Sequence, residues 1–244
     1  MKIVATVEAR MTSSRLPGKV LLEAGGKPIL SHLINRLKAV SSLDDICLAT
    51  TTNDTDDVLE EFALSEGINF FRGSESDVLG RVIGAAESVS AEVVVEITGD
   101  CPIIDHQIVD QAIRIYKNND CDYVSNVKVL TYPVGMDVQV FSLDVLKRSQ
   151  SMTSDPLDQE HVASHIRRHP EIFSHLNIVA PHNLHWPELG LTLDEHEDYL
   201  LLKEIIEHFL PKNELFSCLE VINFLKKNPK LIEINDHIFR KGDE

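Results

Sequence analysis

Short apolar runs alternate with longer segments of helical period through the first half of the chain. Ile3–Val7, Ile46–Ala49, Ile68–Phe71, Val93–Ile97 and Tyr123–Val124 are brief and mostly rich in β-branched residues, the pattern of buried strands. Between them, Pro28–Val40, Thr55–Glu66, Ser76–Ser88 and Asp105–Asn118 carry apolar positions three and four apart. Ile29, Leu33, Ile34, Leu37 and Val40 share one helical face, as do Val78, Leu79, Val82, Ile83 and Ala86. Strand and helix alternating at this spacing predict βαβ units and a mostly parallel sheet with helices on both faces.

The rhythm breaks after Val124. Val138–Phe141 reads as a strand, followed by a short helix over Ser142–Ser149. A polar stretch from Gln150 leads into a helix that ends at Pro170, on which His161, His165 and His169 share one face. That trio lacks the glutamate of a zincin motif, so a solvated or substrate-facing edge is the better reading. Phe173–Val179 reads as a strand, His182–Gly190 as a loop, and Leu191–Leu193 as a short strand running into Asp194. Two helices, Glu195–Phe209 and Cys218–Lys227, precede a loose tail.

With 244 residues, 43% of them hydrophobic, the chain can bury a large core. Its net charge of −16 argues against nucleic acid or an anionic membrane as a partner. Ala9–Lys38 opposes that average. It holds Arg10, Arg15, Lys19, Lys27, Arg36 and Lys38 against one acid, Glu23, a patch suited to drawing a small anion into a cleft. The four cysteines are scattered, as reduced thiols would be. With no apolar signal segment after Met1 and no run near the length of a spanning helix, a cytoplasmic location is expected.

The chemistry concentrates in a few loops. Glu8 to Lys19 follows the first strand and carries Arg10, Arg15 and Lys19 with hydroxyl residues, ending near Pro17-Gly18. Beyond the carboxyl end of a parallel strand, such a loop suits a polyphosphate, or is simply a solvated basic turn. Neither a P-loop nor a G-x-G-x-x-G is present. Thr98-Gly99-Asp100-Cys101-Pro102 follows the Val93 strand, so Asp100 suits a metal-bound nucleotide or a helix-capping turn. Asp194 ends the Leu191 segment, and Glu195, Glu197 and Asp198 fill the first helical turn, where acids favour the dipole. The Tyr132–Asp137 loop is either an ordinary turn or a support placing Asp137 over a substrate.

Seven blocks stand in order over about residues 1–200. They are Ala9-Arg10-Met11 with Ser14 to Lys19, Gly26-Lys27-Pro28, Arg72-Gly73-Ser74 with Asp77-Val78-Leu79, Gly99 to Pro102, Tyr132-Pro133 with Gly135 to Asp137, Glu160-His161-Val162, and Leu191 to Asp194. Together they resemble the cytidylyltransferase family that activates acidic sugars, including the CMP-KDO and CMP-acylneuraminate synthetases, and especially its spore-coat polysaccharide biosynthesis branch.

The resemblance implies a GT-A-like Rossmann nucleotidyltransferase fold: α/β, a mostly parallel sheet with helices on both faces, and a middle insertion. One domain over 1–244 is expected, with a substrate and dimerisation sub-structure near 125–190. CTP is the implied donor, Mg2+ the cofactor, and a small anionic acceptor, an acidic sugar or relative, the partner in a homodimeric enzyme of surface polysaccharide synthesis. Carried over by position, Arg10, Arg15 and Lys19 hold the triphosphate and promote the transfer. Ala9, Met11, Ser14, Arg72, Gly73, Ser74 and Asp77 surround the rest of the nucleotide. Asp100 and Asp194 hold magnesium, and Tyr132, Asp137, Gln159, Glu160 and His161 face the acceptor.

Three positions depart from the family pattern. Glu8 stands where members usually carry Gln or Pro, and Gln159 and Gly190 stand where Arg is common. A missing guanidinium weakens bidentate capture of an acceptor carboxylate. Two alternative enzymes are a nucleotidyltransferase for another base and a glycosyltransferase on the same fold. A non-catalytic nucleotide-binding protein of a glycan pathway is the third reading.

Overall fold

In the computed structural model, which describes residues 1–239, the predicted alternation appears as a three-layer α/β sandwich. The strands are β1 (Ile3–Glu8), β2 (Glu23–Ala24), β3 (Lys27–Pro28), β4 (Asp45–Thr51), β5 (Asn69–Gly73), β6 (Val93–Thr98), β7 (Tyr123–Ser125), β8 (Gln139–Ser142) and β9 (His175–Asn177). The helices are α1 (Ile29–Lys38), α2 (Asp57–Glu66), α3 (Val78–Ser88), α4 (His106–Lys117), α5 (Leu143–Met152), α6 (Pro156–Glu160), α7 (Ser164–Arg168), α8 (His196–Phe209) and α9 (Cys218–Lys227).

Seven strands form one sheet in the order β5-β4-β1-β6-β8-β7-β9, and β2 and β3 make a separate small ribbon. The β5, β4, β1 and β6 half is parallel, whereas β8 enters antiparallel to both β6 and β7. β9 then runs parallel to β7. The segment 125–190 therefore extends the same sheet. Side chains alternate across the strands. Ile3, Ala5 and Val7 enter the core under α1, α4, α8 and α9, while Val4 and Val94 enter the core under α3, α5 and α7.

Local chemistry sets the helix starts. Asp77 accepts the Gly80 amide at 2.8 Å and caps α3. Asp105 accepts the Gln107 amide at 2.9 Å to cap α4, and its other oxygen accepts the Cys218 amide at 2.8 Å, fixing the start of α9. Ser217 and Glu220 complete a capping box there.

The structure corrects four expectations. The helix expected to end at Pro170 is two short pieces, α6 and α7, separated at His161–Ala163. His161 therefore leaves the histidine face, while His165 is buried beside Asp158, with its ring 4.4 Å from that of His169. Leu191–Leu193 is no strand. Its amides bond to Val134 and Asp100 across loops, and only a single bridge joins Val134 to Gly190.

The basic patch also disperses. Lys27 pairs with Glu214 and Lys38 with Glu66. Arg36 is buried, lies 4.0 Å over the Phe216 ring and donates to the Phe216 carbonyl at 2.8 Å. Burial pushes its guanidinium down to about 10, the position of a structural bridge rather than an anion lure. Finally, the expected loose tail contains a 3-10 turn at Pro229–Ile234, and its last residues, 240–244, lie outside the described residues.

Candidate active site

A cleft of about 820 Å³ opens beyond the carboxyl ends of β1 and β6. This is the edge at which open α/β sheets bind ligands. The first loop supplies Ala9, Arg10, Ser13, Ser14, Arg15 and Lys19; the β6 loop supplies Gly99 and Asp100. Glu75 comes from the loop before α3 and Arg81 from the start of that helix; Gln159, Glu160 and His161 come from α6 and the residue after it; Asp194 completes the rim.

The first loop folds back on itself. Gly18, in the left-handed region at φ 70°, donates to the Met11 carbonyl at 2.9 Å. The Met11 amide donates to Asp56 at 2.8 Å, and the buried Asp56 also accepts from the Thr51 hydroxyl at 2.6 Å and from Thr50 at 3.2 Å. One carboxylate between β4 and α2 thus anchors the base of the loop. At the neighbouring turn, the Gly99 amide donates to the Glu8 carbonyl at 2.8 Å. A Cβ on Gly99 would lie 2.6 Å from that oxygen, so the two loops approach this closely only with glycine.

Two cations and two carboxylates meet at the centre. The Lys19 ammonium lies 3.1 Å from Asp194 Oδ1 and 3.3 Å from Asp100 Oδ2. Arg15 reaches Asp194 Oδ1 at 2.6 Å. Burial acts against the charge on Lys19, but the two carboxylates outweigh it and hold its affinity for the proton above the ordinary lysine range. Asp194 is set by a cap: its own amide and that of Glu195 donate to Asp198 at 3.1 and 3.0 Å. Asp198 is buried and also accepts from Asn235 at 2.8 Å, which makes it a helix-start acid.

Arg10 is held at one side. It pairs with Glu75 at 2.8 Å, and Glu75 also accepts from Thr12 at 2.5 Å and Asn53 at 2.8 Å. Those three donors, Thr12 foremost, hold the exposed Glu75 carboxyl below its usual range. Arg81 is 4% exposed and donates to the Ser74 carbonyl, and its Nε has no hydrogen-bond partner among the described residues. The Glu8 carboxyl lies beside that of Glu96, and Glu8 Oε1 is shut off from solvent with no hydrogen-bond partner among the described residues. Burial, reinforced by the neighbouring Glu96, lifts Glu8 well above the carboxylate range. Burial raises Glu96 to about 7. Glu96 accepts from Gln139, which in turn accepts from Tyr123 and, at 3.0 Å, from Arg167.

Arg10, Arg15, Lys19, Ala9, Ser14, Asp100, Asp194, Gln159, Glu160 and His161 therefore share one cleft. Arg72 does not join its lining: it donates to the carbonyls of Thr51 and Asn53 and pairs with Asp57 at 2.6 Å. Met11 contributes its backbone to the loop anchor, and Gly73 lies in β5 against Arg81. Ser74 accepts the Asp77 amide at 3.1 Å, and Asp77 caps α3. Tyr132 is buried, and the Gly135 amide turns to Asp137 at 3.4 Å. Asp56, Glu75 and Arg81 are positions that the motifs do not mark. A lone acid or arginine carries no spacing signal, and only the fold brings these three to the first loop.

Among the described residues no group of three or more His, Cys, Asp or Glu side chains is placed to hold a metal, and no helix is long and apolar enough to cross a membrane. Two carboxylates converging on a cleft nevertheless fit a hard cation that draws its remaining oxygens from a substrate phosphate and water.

The chain is similar in sequence and in fold to known cytidylyltransferases. The spore coat polysaccharide biosynthesis protein SpsF of Bacillus subtilis is 32% identical over 93% of this chain and 95% of its own. A cytidylyltransferase structure from Leptospira borgpetersenii superposes with a TM-score of 0.92 at 33% identity, covering 98% of this chain and all of that one. A CMP:2-keto-3-deoxy-manno-octonic acid synthetase complexed with CTP shares the fold at 17% identity, with a TM-score of 0.61 over 85% of this chain and 99% of that one. The sequence pattern that describes the cytidylyltransferases matches residues 4–226. The chain belongs to the cytidylyltransferase family, built on its α/β nucleotidyltransferase fold.

Proposed function

We propose that this enzyme transfers the cytidylyl group of CTP to a hydroxyl of a small acceptor, an acidic sugar or a related anion destined for surface polysaccharide, and releases pyrophosphate. The observation that carries this reading is the meeting of Arg15 and Lys19 with Asp100 and Asp194 at one sheet edge. Cations from one loop and acids from two others suit a metal-bound triphosphate, and the family membership favours cytidine as the nucleoside.

The acceptor oxygen attacks the α-phosphorus in line. As that bond forms, the bond from the α-phosphorus to the bridging oxygen of the β-phosphate breaks. Pyrophosphate departs and the hydroxyl proton passes to solvent, so no covalent enzyme intermediate is needed. Arg15 and Lys19 hold the triphosphate and neutralise charge on the leaving group, and Arg10, kept in place by Glu75, guards the same phosphates. Asp100 and Asp194 hold a magnesium ion, which when bound supplies charge neutralisation at the phosphates. Gln159, Glu160 and His161, which line the same cleft, meet the acceptor.

Pyrophosphate release from CTP, screened over keto sugar acids and phosphorylated small molecules, tests the activity. Arg15→Ala and Asp100→Ala each lower that rate on the order of a hundredfold. Near-wild-type rates in both overturn the mechanism. Thermal shift with CTP, UTP, GTP and ATP separates cytidine from the other bases.

A further inference from the structure

We infer that Lys19 and Arg15 act as a tethered substitute for the divalent cation, so that Asp100 and Asp194 accept a metal only when a triphosphate draws the two side chains away. The inference deepens the proposed function and rests on it. It concerns the order in which the same four groups change partners.

Charge and distance carry it. Lys19 bridges both carboxylates at 3.1 and 3.3 Å, and Arg15 takes the same Asp194 oxygen at 2.6 Å. Two positive and two negative side chains leave the quartet neutral. The Lys19 side chain is only 13% exposed, so its ammonium fills the space between the acids instead of resting on their rim. A metal arriving alone meets two difficulties. It would stand against an ammonium already bonded to both of its ligands, and like charges at that separation repel strongly in a half-buried setting. It would also gain only two protein carboxylates, too few for an ion that wants about six oxygens and gives up water reluctantly. A side chain held by the fold competes at high effective concentration.

A nucleoside triphosphate changes both conditions. Its oxygens are better partners for a guanidinium and an ammonium than carboxylates already shared between them. As Arg15 and Lys19 turn to the phosphates, Asp100 and Asp194 are left as an uncompensated pair of anions, and the phosphates offer the oxygens the metal lacks. Charge stays balanced at each stage, because the cations exchange carboxylates for phosphate and the acids exchange cations for metal. Metal and nucleotide then bind with positive coupling, and by linkage each tightens the other by the same factor.

The test uses Mn2+ as the probe on the full chain, counted by equilibrium dialysis with electron paramagnetic resonance of the free ion. Wild type without nucleotide is expected to show no saturable site below the millimolar range, and to take up Mn2+ once CTP is present. Lys19→Met removes the resident charge and is expected to bind one Mn2+ per chain without nucleotide, at least about tenfold more tightly than wild type. Adding Asp194→Asn to that variant abolishes the site. Circular dichroism and melting temperature verify the fold. Should Lys19→Met not fold, Lys19→Gln and Arg15→Gln carry the same expectation, and the wild-type comparison with and without CTP stands alone.

Wild type binding Mn2+ without nucleotide as tightly as it does with CTP overturns the inference. So does a folded Lys19→Met chain whose Mn2+ affinity matches wild type. CTP binding measured with excess Mg2+ present separates the two readings. If CTP binds but removing Lys19 uncovers no metal site, the exchange fails and the nucleotide reading survives. If CTP does not bind at all, the proposed function fails, and the inference with it.

Discussion

The Leu193 amide donates to the carbonyl of Asp100 at 2.8 Å, and this single bond ties together the two segments whose carboxylates face Lys19. Asp194 follows immediately, so its side chain emerges beside that of Asp100 although the two belong to distant parts of the chain. Replacing Asp194 with Asn keeps shape and the backbone bond but removes the charge that holds Arg15 and Lys19. Pyrophosphate release from CTP should fall on the order of a hundredfold with little change in melting temperature. A retained rate would place the metal-holding charge elsewhere.

Asp56 is a second point of control, remote from the chemistry. Its carboxylate receives the Met11 amide and the Thr50 and Thr51 hydroxyls. Asp56→Ala leaves buried donors without partners and should cost about 1–3 kcal/mol in chemical denaturation. It should also raise the KM for CTP, because the anchor of the cationic loop is gone. A stability loss with KM unchanged would separate the loop from nucleotide binding.

Glu8 and Glu96 make stability depend on pH in a defined direction. Both carboxyls titrate higher in the folded chain than the ordinary 4.5, Glu96 at about 7 and Glu8 well above its usual value. The fold therefore holds protons that the unfolded chain has released. Their contribution is complete below about 4.5 and is lost as pH rises through about 7 and beyond. Arg81 and Asp100 face Glu8, and Arg167 and Asp137 act on Glu96, so the pair titrates within a charged shell. Glu8→Gln removes one of the two titrations. Its melting temperature should exceed that of wild type at pH 8 and converge with it at pH 5, by about 2–4 °C for each kcal/mol. A variant less stable than wild type at pH 8 would contradict this.

Gly99→Ala probes the approach of the two loops. The added methyl meets the Glu8 carbonyl oxygen at 2.6 Å, and that oxygen is backbone and cannot swing aside. Overpacking of this kind costs about 1–3 kcal/mol. Because the strain falls between Glu8 and Asp100, CTP turnover should drop more steeply than the melting temperature does. Wild-type turnover would mean that the turn relaxes without moving Asp100.

Much of this was legible from hydrophobic period alone. The β1, β4 and β6 strands, the helices α1 to α4 and the whole of α9 follow directly from apolar spacing, whereas the caps of α3 and α4, Asp77 and Asp105, emerge only in the structure. Arg15, Lys19 and Asp100 were legible because each sits at a strand end or beside a turn signal, whereas Asp194 was picked out as the end of a Leu191–Leu193 strand that the fold does not form. Other features depend on contacts between remote residues. Helical spacing continued across His161–Ala163, but the chain turns there to bring His161 into the cleft while His165 packs against Asp158. Arg36 looked like one more surface cation until Phe216 closed over it. Arg72 carried a family motif, yet its guanidinium serves the Thr51 and Asn53 carbonyls.

The antiparallel entry of β8 beside β6 has a consequence for how the enzyme is made. As the chain leaves the ribosome, the parallel half with its cationic loop and Asp100 is complete long before Asp194 is synthesised. In the finished fold that acid is held at the cleft by the Leu193–Asp100 backbone bond, and its segment follows β7, β8 and β9 in the chain. A chain that ends before Asp194 therefore carries the cationic loop and Asp100 without the second acid.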